Sequence, residues 1–151
     1  MSHFRSVPHG IEIRLGPEER VFLGDVLPLL ADVGAGGSDP AADRLHVPIY
    51  LDDPEANDEW WRLMGSDLDA ARHSDRRVFE RVLREDPPVV LDVDDANGFL
   101  RVLNEARLVL GARFGIEVES DHDGLSEESR QVMDYLGWVH EELTVELMRG
   151  L

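Results

Sequence analysis

The chain of 151 residues contains no cysteine and no lysine. Without thiols there can be no disulfide, no thiolate nucleophile and no cysteine-ligated zinc. Without lysine there is no Schiff-base amine and no P-loop lysine. Long apolar runs are missing too, since the longest uncharged stretches fall well short of the roughly 20 residues that span a bilayer. The opening MSHFRSVPHG lacks the apolar centre of a signal peptide. A cytoplasmic protein without membrane contact is the expectation.

What is present in excess is acid. Fifteen basic residues, all arginine, stand against 32 acidic ones, giving a formal net charge of −17. Such a field repels nucleic-acid phosphates, which are bound by neutralising Arg and Lys, and it favours basic protein partners. The 42% hydrophobic content is that of a folded globule, and the length suits a single domain spanning 1–151.

The stretch Asp92–Phe114 organises this domain. On a 3.6-residue wheel Phe99, Val102, Leu103, Ala106, Val109, Leu110 and Phe114 cover one wide face. Leu100 and Leu108 lie across a narrow polar line of Asn104, Arg107 and Gly111, leaving Arg101 and Glu105 to face water. A helix apolar nearly all round is central, so the polar line should be partly enclosed, and an enclosed guanidinium needs a carboxylate or carbonyls. Asp75, which interrupts the apolar stripe of a preceding helix, is the expected partner of Arg107, with Asn104 alongside and Asp67 or Glu142 as substitutes. If Arg107 instead faces a pocket, it could bind a small anion.

Around this helix the chain reads as follows. Phe4–Val7 and Ile11–Leu15 flank Pro8-His9-Gly10 as a β-hairpin (about 4–15), with Ile11, Ile13 and Leu15 on one face. Pro17 opens a helix with stripe Phe22, Val26, Leu29, Leu30 and Val33, which Pro28 should kink or break between Gly24 and Pro28. GAGGSDP at 34–40 reads as a loop, Ala41–Leu45 as a helical turn and VPIYLDD as extended. Asp53-Pro54 starts a helix that ends at Gly65-Ser66, and a further helix runs roughly Ser66–Arg84 with stripe Leu68, Ala71, Val78, Val82 and Leu83. Pro87-Pro88 stops it, and Val89–Leu91 is an extended link to the central helix, capped by Asp92 or Asp94. After the acidic connector IEVESDHDG, Ser126 caps a last helix whose stripe Val132, Leu136, Val139, Leu143 and Leu147 should dock on the central one. The expected fold class is mainly α, a compact bundle of four to five helices (about 17–150) around a central helix (92–114), with a small N-terminal β-hairpin.

No pattern in the chain specifies an enzyme, a cofactor or a metal. Asp92, Asp94 and Asp95 with Asn97 and Gly98 suggest a calcium loop, but no register puts Gly at position 6 and Glu at 12. Asp121-His122-Asp123 lacks the convergent third and fourth ligands of a metal site. His140 is a hydrogen-bonded residue at the core margin rather than a catalyst. The helix bearing Arg72, Arg76, Arg77, Arg81 and Arg84 could read DNA, yet Asp67, Asp69, Asp75, Glu80 and Glu85 balance it. The pairs Arg76–Glu80, Glu80–Arg84 and Arg81–Glu85 make it a solvated, salt-bridged face. Trp61, and Trp138 with Val145, fall outside the apolar stripes and, with Arg76 and Arg77, are the candidate partner surface.

The run FLRVLNEARLVLGARFGI resembles the L-R-x-L-N-D-x-R-L-x-L-G-T-R-L-G signature of a small actinobacterial family, the oxidative-stress transcription regulator AosR family, formerly a domain of unknown function and encoded near the ClpS adaptor. The matching positions are Leu100, Arg101, Leu103, Asn104, Arg107, Leu108, Leu110, Gly111, Arg113 and Gly115. DPAADRLHVPIYLDDPEANDEWWRL, GSDLDAAR and MDYLGWVHEEL are similar as well. Departures are Phe99 for Trp, Glu105 for Asp and Phe114 for Leu. The resemblance implies accessory transcriptional regulation in a stress response, through contacts with a sigma factor or RNA polymerase, and transfers no catalytic residue. Its cysteine-based switch cannot carry over to a chain without cysteine. Partnership with ClpS-linked proteolysis, and anion binding at Arg107, are the alternatives; the oligomeric state is open, a dimer included.

Overall fold

Pro8 and His9 reverse the chain so that β1 (Phe4–Val7) pairs antiparallel with β2 (Gly10–Ile13), Phe4 opposite Ile13 and Val7 opposite Gly10. In the computed structural model, which describes residues 2–31, 40–45, 52–116 and 119–150, Val89–Leu91 is more than a link. As β3 it adds to the other edge of β2, Ile11 opposite Leu91. Gly10 makes the approach possible: its φ is +154°, and a Cβ there would sit 2.1 Å from the Leu91 carbonyl oxygen. Ile11, Ile13 and Leu15 are buried on one side, as their alternation predicts.

The helices begin where the caps and prolines put them. Pro17 opens α1 (Pro17–Gly24), which stops before Asp25; α2 (Val26–Ala31) follows, so the expected break near Pro28 is present. The break re-aims the stripe: Leu23, Val26 and Leu30 are buried, whereas Leu29 is exposed. α3 spans Pro40–Leu45. The loop expected at 34–40 lies almost wholly outside the described residues, as does VPIYL of the extended segment at 47–53.

α4 (Pro54–Arg84) is one continuous helix of 31 residues, capped by Asp53 accepting from the Ala56 amide at 3.0 Å. The expected boundary at Gly65-Ser66 is absent. A glycine inside a helix costs only about 1 kcal/mol, there is no proline beside it, and Gly65 keeps a negative φ rather than the left-handed turn of a helix end. The buried residues of α4 all lie in its second half: Asp75, Phe79 and Val82.

α5 (Val93–Arg113) is the centre. The Asp92 carboxylate caps it through the Asp95 amide at 2.7 Å, and α4, α3, α6, α2 and the sheet all pack on it. Phe79 of α4 stacks on Phe99 at 4.4 Å between ring centroids, and Phe4 of β1 meets Phe99 edge-on at 6.3 Å. A 3-10 turn (Glu119–Gly124) leads to α6 (Glu127–Arg149), capped by Ser126 and docked through Leu136, Val139 and Leu143. The mainly helical fold with a small N-terminal antiparallel sheet is the one expected. Among the described residues no helix is long and apolar enough to cross a membrane.

Phe99→Ala should lower stability by about 3–5 kcal/mol, read as an earlier urea midpoint, because two aromatic rings lose their common neighbour. Val90→Ser, on the exposed side of β3, should stay within about 0.5 kcal/mol.

Candidate protein-docking face

The polar residues of α5 fall only partly where the helical wheel places them: Arg101 is exposed as expected, Asn104 and Glu105 are not where the wheel puts them. Asp75 is buried, 8% exposed, but its partner is Arg101, not Arg107. Arg101 Nε lies 2.7 Å from Oδ2 and Nη2 lies 2.8 Å from Oδ1. This two-pronged contact raises the Arg101 pKa chiefly through its hydrogen bonds to Asp75. Gly98, one turn before Arg101, leaves room: a Cβ there would stand 3.1 Å from Asp75 Oδ1. Glu105, expected in water, is 7% exposed. Arg76 Nη2 donates to it at 2.9 Å and Arg72 Nε stands 3.9 Å away. Arg76 is thereby removed both from its expected pair with Glu80 and from the candidate partner surface. The pairs Arg84–Glu80 and Arg81–Glu85 are formed as expected.

The supposed Asn104–Arg107–Gly111 seam is therefore divided. Asn104 is exposed. Gly111 is buried beneath Arg44, whose Nη1 stands 2.9 Å from where a Cβ would be. Arg107 turns toward α6, its guanidinium about 4 Å from the Cβ position of Gly137. Burial, then the charge of Arg107, holds the His140 imidazole below its ordinary pKa. Arg107 Nε is enclosed and has no hydrogen-bond partner among the described residues. The wheel misplaces these residues because α4 lies along the Asp95–Arg101–Glu105 side of α5, and a helical pattern cannot tell which flank a neighbour covers.

The outer faces of α1 and α6 form a different kind of surface. Residues Tyr135, Trp138, Glu142 and Val145 follow one another at helical spacing along α6, beside its core stripe. Trp138 is 55% and Val145 41% exposed. Beneath them lies His3, buried at the start of the chain, whose ring meets Trp138 edge-on at 5.3 Å and Tyr135 at 5.8 Å. Its Nε2 lies 2.7 Å from Glu19 and its Nδ1 lies 2.8 Å from Glu142. The His3 amide also donates to Glu142, at 2.9 Å. Both ring nitrogens thus face carboxylate oxygens, which ties residue 3 to α1 and α6 together.

Glu19 belongs equally to α1 and to this node. Its carboxylate accepts from the Gly16 amide at 3.0 Å and from the Tyr135 hydroxyl at 3.0 Å. Burial pushes its pKa up, but the Gly16 amide, the Tyr135 hydroxyl and His3 outweigh it and hold the carboxyl below its ordinary range. Burial, then the neighbouring Glu19, pushes the Tyr135 phenol well up. Between α1 and α6 an open cleft of about 370 Å³ is lined by Phe22, Val132 and Tyr135 below and by Glu18, Glu19 and Glu128 around its edge. Phe22 and Tyr135 meet edge-on at 5.3 Å.

A family model covers residues 1–147, that of the domain of unknown function DUF2017. The chain belongs to this family. No curated protein and no solved structure matches it. The family description, a domain of unknown function, assigns no chemistry to any residue of the chain.

Of the remaining candidates, Trp61 is half-buried and meets Trp60 edge-on at 4.9 Å. Arg77 is exposed on α4. No cluster of three or more His, Asp or Glu able to hold a metal ion occurs among the described residues; His122 pairs with Asp134 at 2.8 Å. Sequence reasoning missed His3, Glu19, Tyr135 and Glu142 as one group. The available signal was the Glu at the third position of α1, which returns to the Gly16 amide as half of a capping box.

Two outcomes test this geometry. Arg101→Met should cost about 2–3 kcal/mol in urea unfolding, more than Asp75→Asn. The first change strands a buried carboxylate, while the second frees a guanidinium that is already 60% exposed. Because Glu19 is held below its ordinary 4.5, its contribution is complete above that pH and is lost as pH falls. The stability of Glu19→Gln, followed by circular dichroism, should therefore fall less steeply than wild type below pH 4.5.

Proposed function

We propose that this protein is a non-enzymatic regulator that works in the cytoplasm through a protein partner, as an accessory factor in the transcriptional response to stress. The observation that carries the protein-binding part is the outer face of α6. There a tryptophan and a valine stay half in water beside Glu141, which has no ion pair or hydrogen bond among the described residues. Exposed aromatic anchors of this kind suit partner binding, and a net charge of −17 suits a basic protein surface better than DNA. The transcriptional part, with a sigma factor or RNA polymerase as the partner, rests on the likeness of the α5 signature to the oxidative-stress regulator family. Since this chain has no cysteine, the signal reaches it by another route than thiol oxidation.

A second reading, anion binding, draws on the enclosed Arg107 Nε, which lacks a partner among the described residues. Arg107→Gln should abolish any phosphate-induced rise in melting temperature under that reading, and leave partner capture untouched under the first.

Affinity capture from native cells with the immobilised chain tests the proposal. RNA polymerase subunits or a sigma factor should be retained, and lost with Trp138→Ala/Val145→Ala. Retention of Clp components instead would favour a role in ClpS-linked proteolysis. Duplex DNA binding that persists at high salt and depends on Arg77 would overturn the preference for protein contacts.

A further inference from the structure

We infer that the cleft between α1 and α6 receives an arginine side chain presented on an apolar segment of the partner protein, an inference that rests on the protein-binding function just proposed. The floor of the cleft is apolar and aromatic: Phe22, Val132 and Tyr135. Its edge is acidic, and the carboxylates there are of two kinds. Glu19 is committed, one oxygen to the Gly16 amide and the other to His3 and Tyr135, so it is a fixed negative charge at the back wall. Glu18 and Glu128 are exposed and, among the described residues, have neither an ion pair nor a hydrogen bond. They stand in the first turns of two different helices, on either side of the aromatic floor.

This arrangement selects its occupant. An anion or a nucleic-acid phosphate is repelled by three carboxylates. A purely apolar side chain would leave Glu18 and Glu128 facing nothing. A cation with a long aliphatic stem matches both layers, stem on floor and charge at edge. Arginine matches better than lysine, because its planar guanidinium can lie against the Phe22 and Tyr135 rings while its several N–H groups reach two carboxylates at once. A volume of about 370 Å³ holds one long side chain and leaves the rest of the partner segment to run toward Trp138 and Val145 on the same helix.

The probe is a 12-residue amphipathic peptide with leucines at helical spacing and one central arginine, titrated into the full chain while backbone amide shifts are followed by NMR. Shifts should centre on Phe22, Val132 and Tyr135. Replacing the arginine by citrulline, its neutral isostere, should weaken binding about ten-fold, and lysine should fall between. Glu18→Gln/Glu128→Gln should weaken it about five-fold. Neither residue has a partner among the described residues, so both changes should leave the fold intact. Asp67→Asn/Asp69→Asn, which changes net charge equally on α4, should have less than about a two-fold effect. Equal binding of the citrulline peptide, or an equal loss in the α4 control, would overturn the inference. Native partner capture separates this failure from failure of the function. Capture that needs Trp138 and Val145 but survives Glu18→Gln/Glu128→Gln removes the cleft and keeps the regulator. Arginine-dependent peptide binding confined to the cleft, with no transcription protein captured, does the reverse.

Discussion

Two carboxylates, Asp75 and Glu105, are enclosed between α4 and α5, and enclosing either without the guanidinium that meets it would be costly. The two pairs cross: Asp75 of α4 takes Arg101 of α5, and Glu105 of α5 takes Arg76 of α4. The exchange fixes the register of the two helices as well as their approach. A slide by one turn would separate Asp75 from Arg101 with no other guanidinium of α5 to take its place, even though Arg72 could replace Arg76 beside Glu105. Gly98 belongs to the same constraint, since the Asp75 carboxylate lies against the place where a side chain would begin. That α4 stays helical through Gly65 is compatible with this lock, which holds only its second half.

The elements legible in the sequence are those set by local chemistry. Asp53, Asp92 and Ser126 each accept from a backbone amide of the first turn they cap, and Pro17 and Pro54 open their helices. The α6 stripe is legible because its central members Leu136, Val139 and Leu143 are all buried in the one core. The α5 polar residues are not, because that helix is covered from several directions. Asn104 and Glu105 differ by one position, about 100° around the axis, and only the path of α4 decides that the glutamate goes in and the asparagine out. Phe79 escaped notice for a related reason: it sits one residue from Val78, which the helical stripe favours, and the stacking on Phe99 that buries it depends on where α5 lies.

The candidate docking face was half legible. Trp138 and Val145 fall off the α6 stripe in the sequence and are exposed in the structure. The His3 node was not, because nothing local links residue 3 to residues 19, 135 and 142. Its members come from the residue just before β1 and from two helices, brought together when β1 packs beside α6. In that position His3 ties the N-terminal strand to both helices that wall the cleft. The cleft's geometry is thus set by the same contacts that close the hairpin onto the bundle.

The charge that a partner meets differs from the one the composition states. Arg72, Arg76 and Arg101 lie in the α3–α4–α5 seam against Glu105, the Leu45 carbonyl and Asp75. Arg44 and Arg20 hold backbone carbonyls, and Arg81, Arg84 and Arg149 face carboxylates on or beside their own helix. Most of the basic groups are in this way engaged by the protein itself, while Glu18, Glu128 and Glu141 have no partner among the described residues. An approaching surface therefore meets uncommitted negative charge around α1 and α6, at the place where aromatic side chains are also exposed. Charge sets the sign of the partner and the aromatic groups supply the desolvated contact, so neither feature alone would specify a docking site.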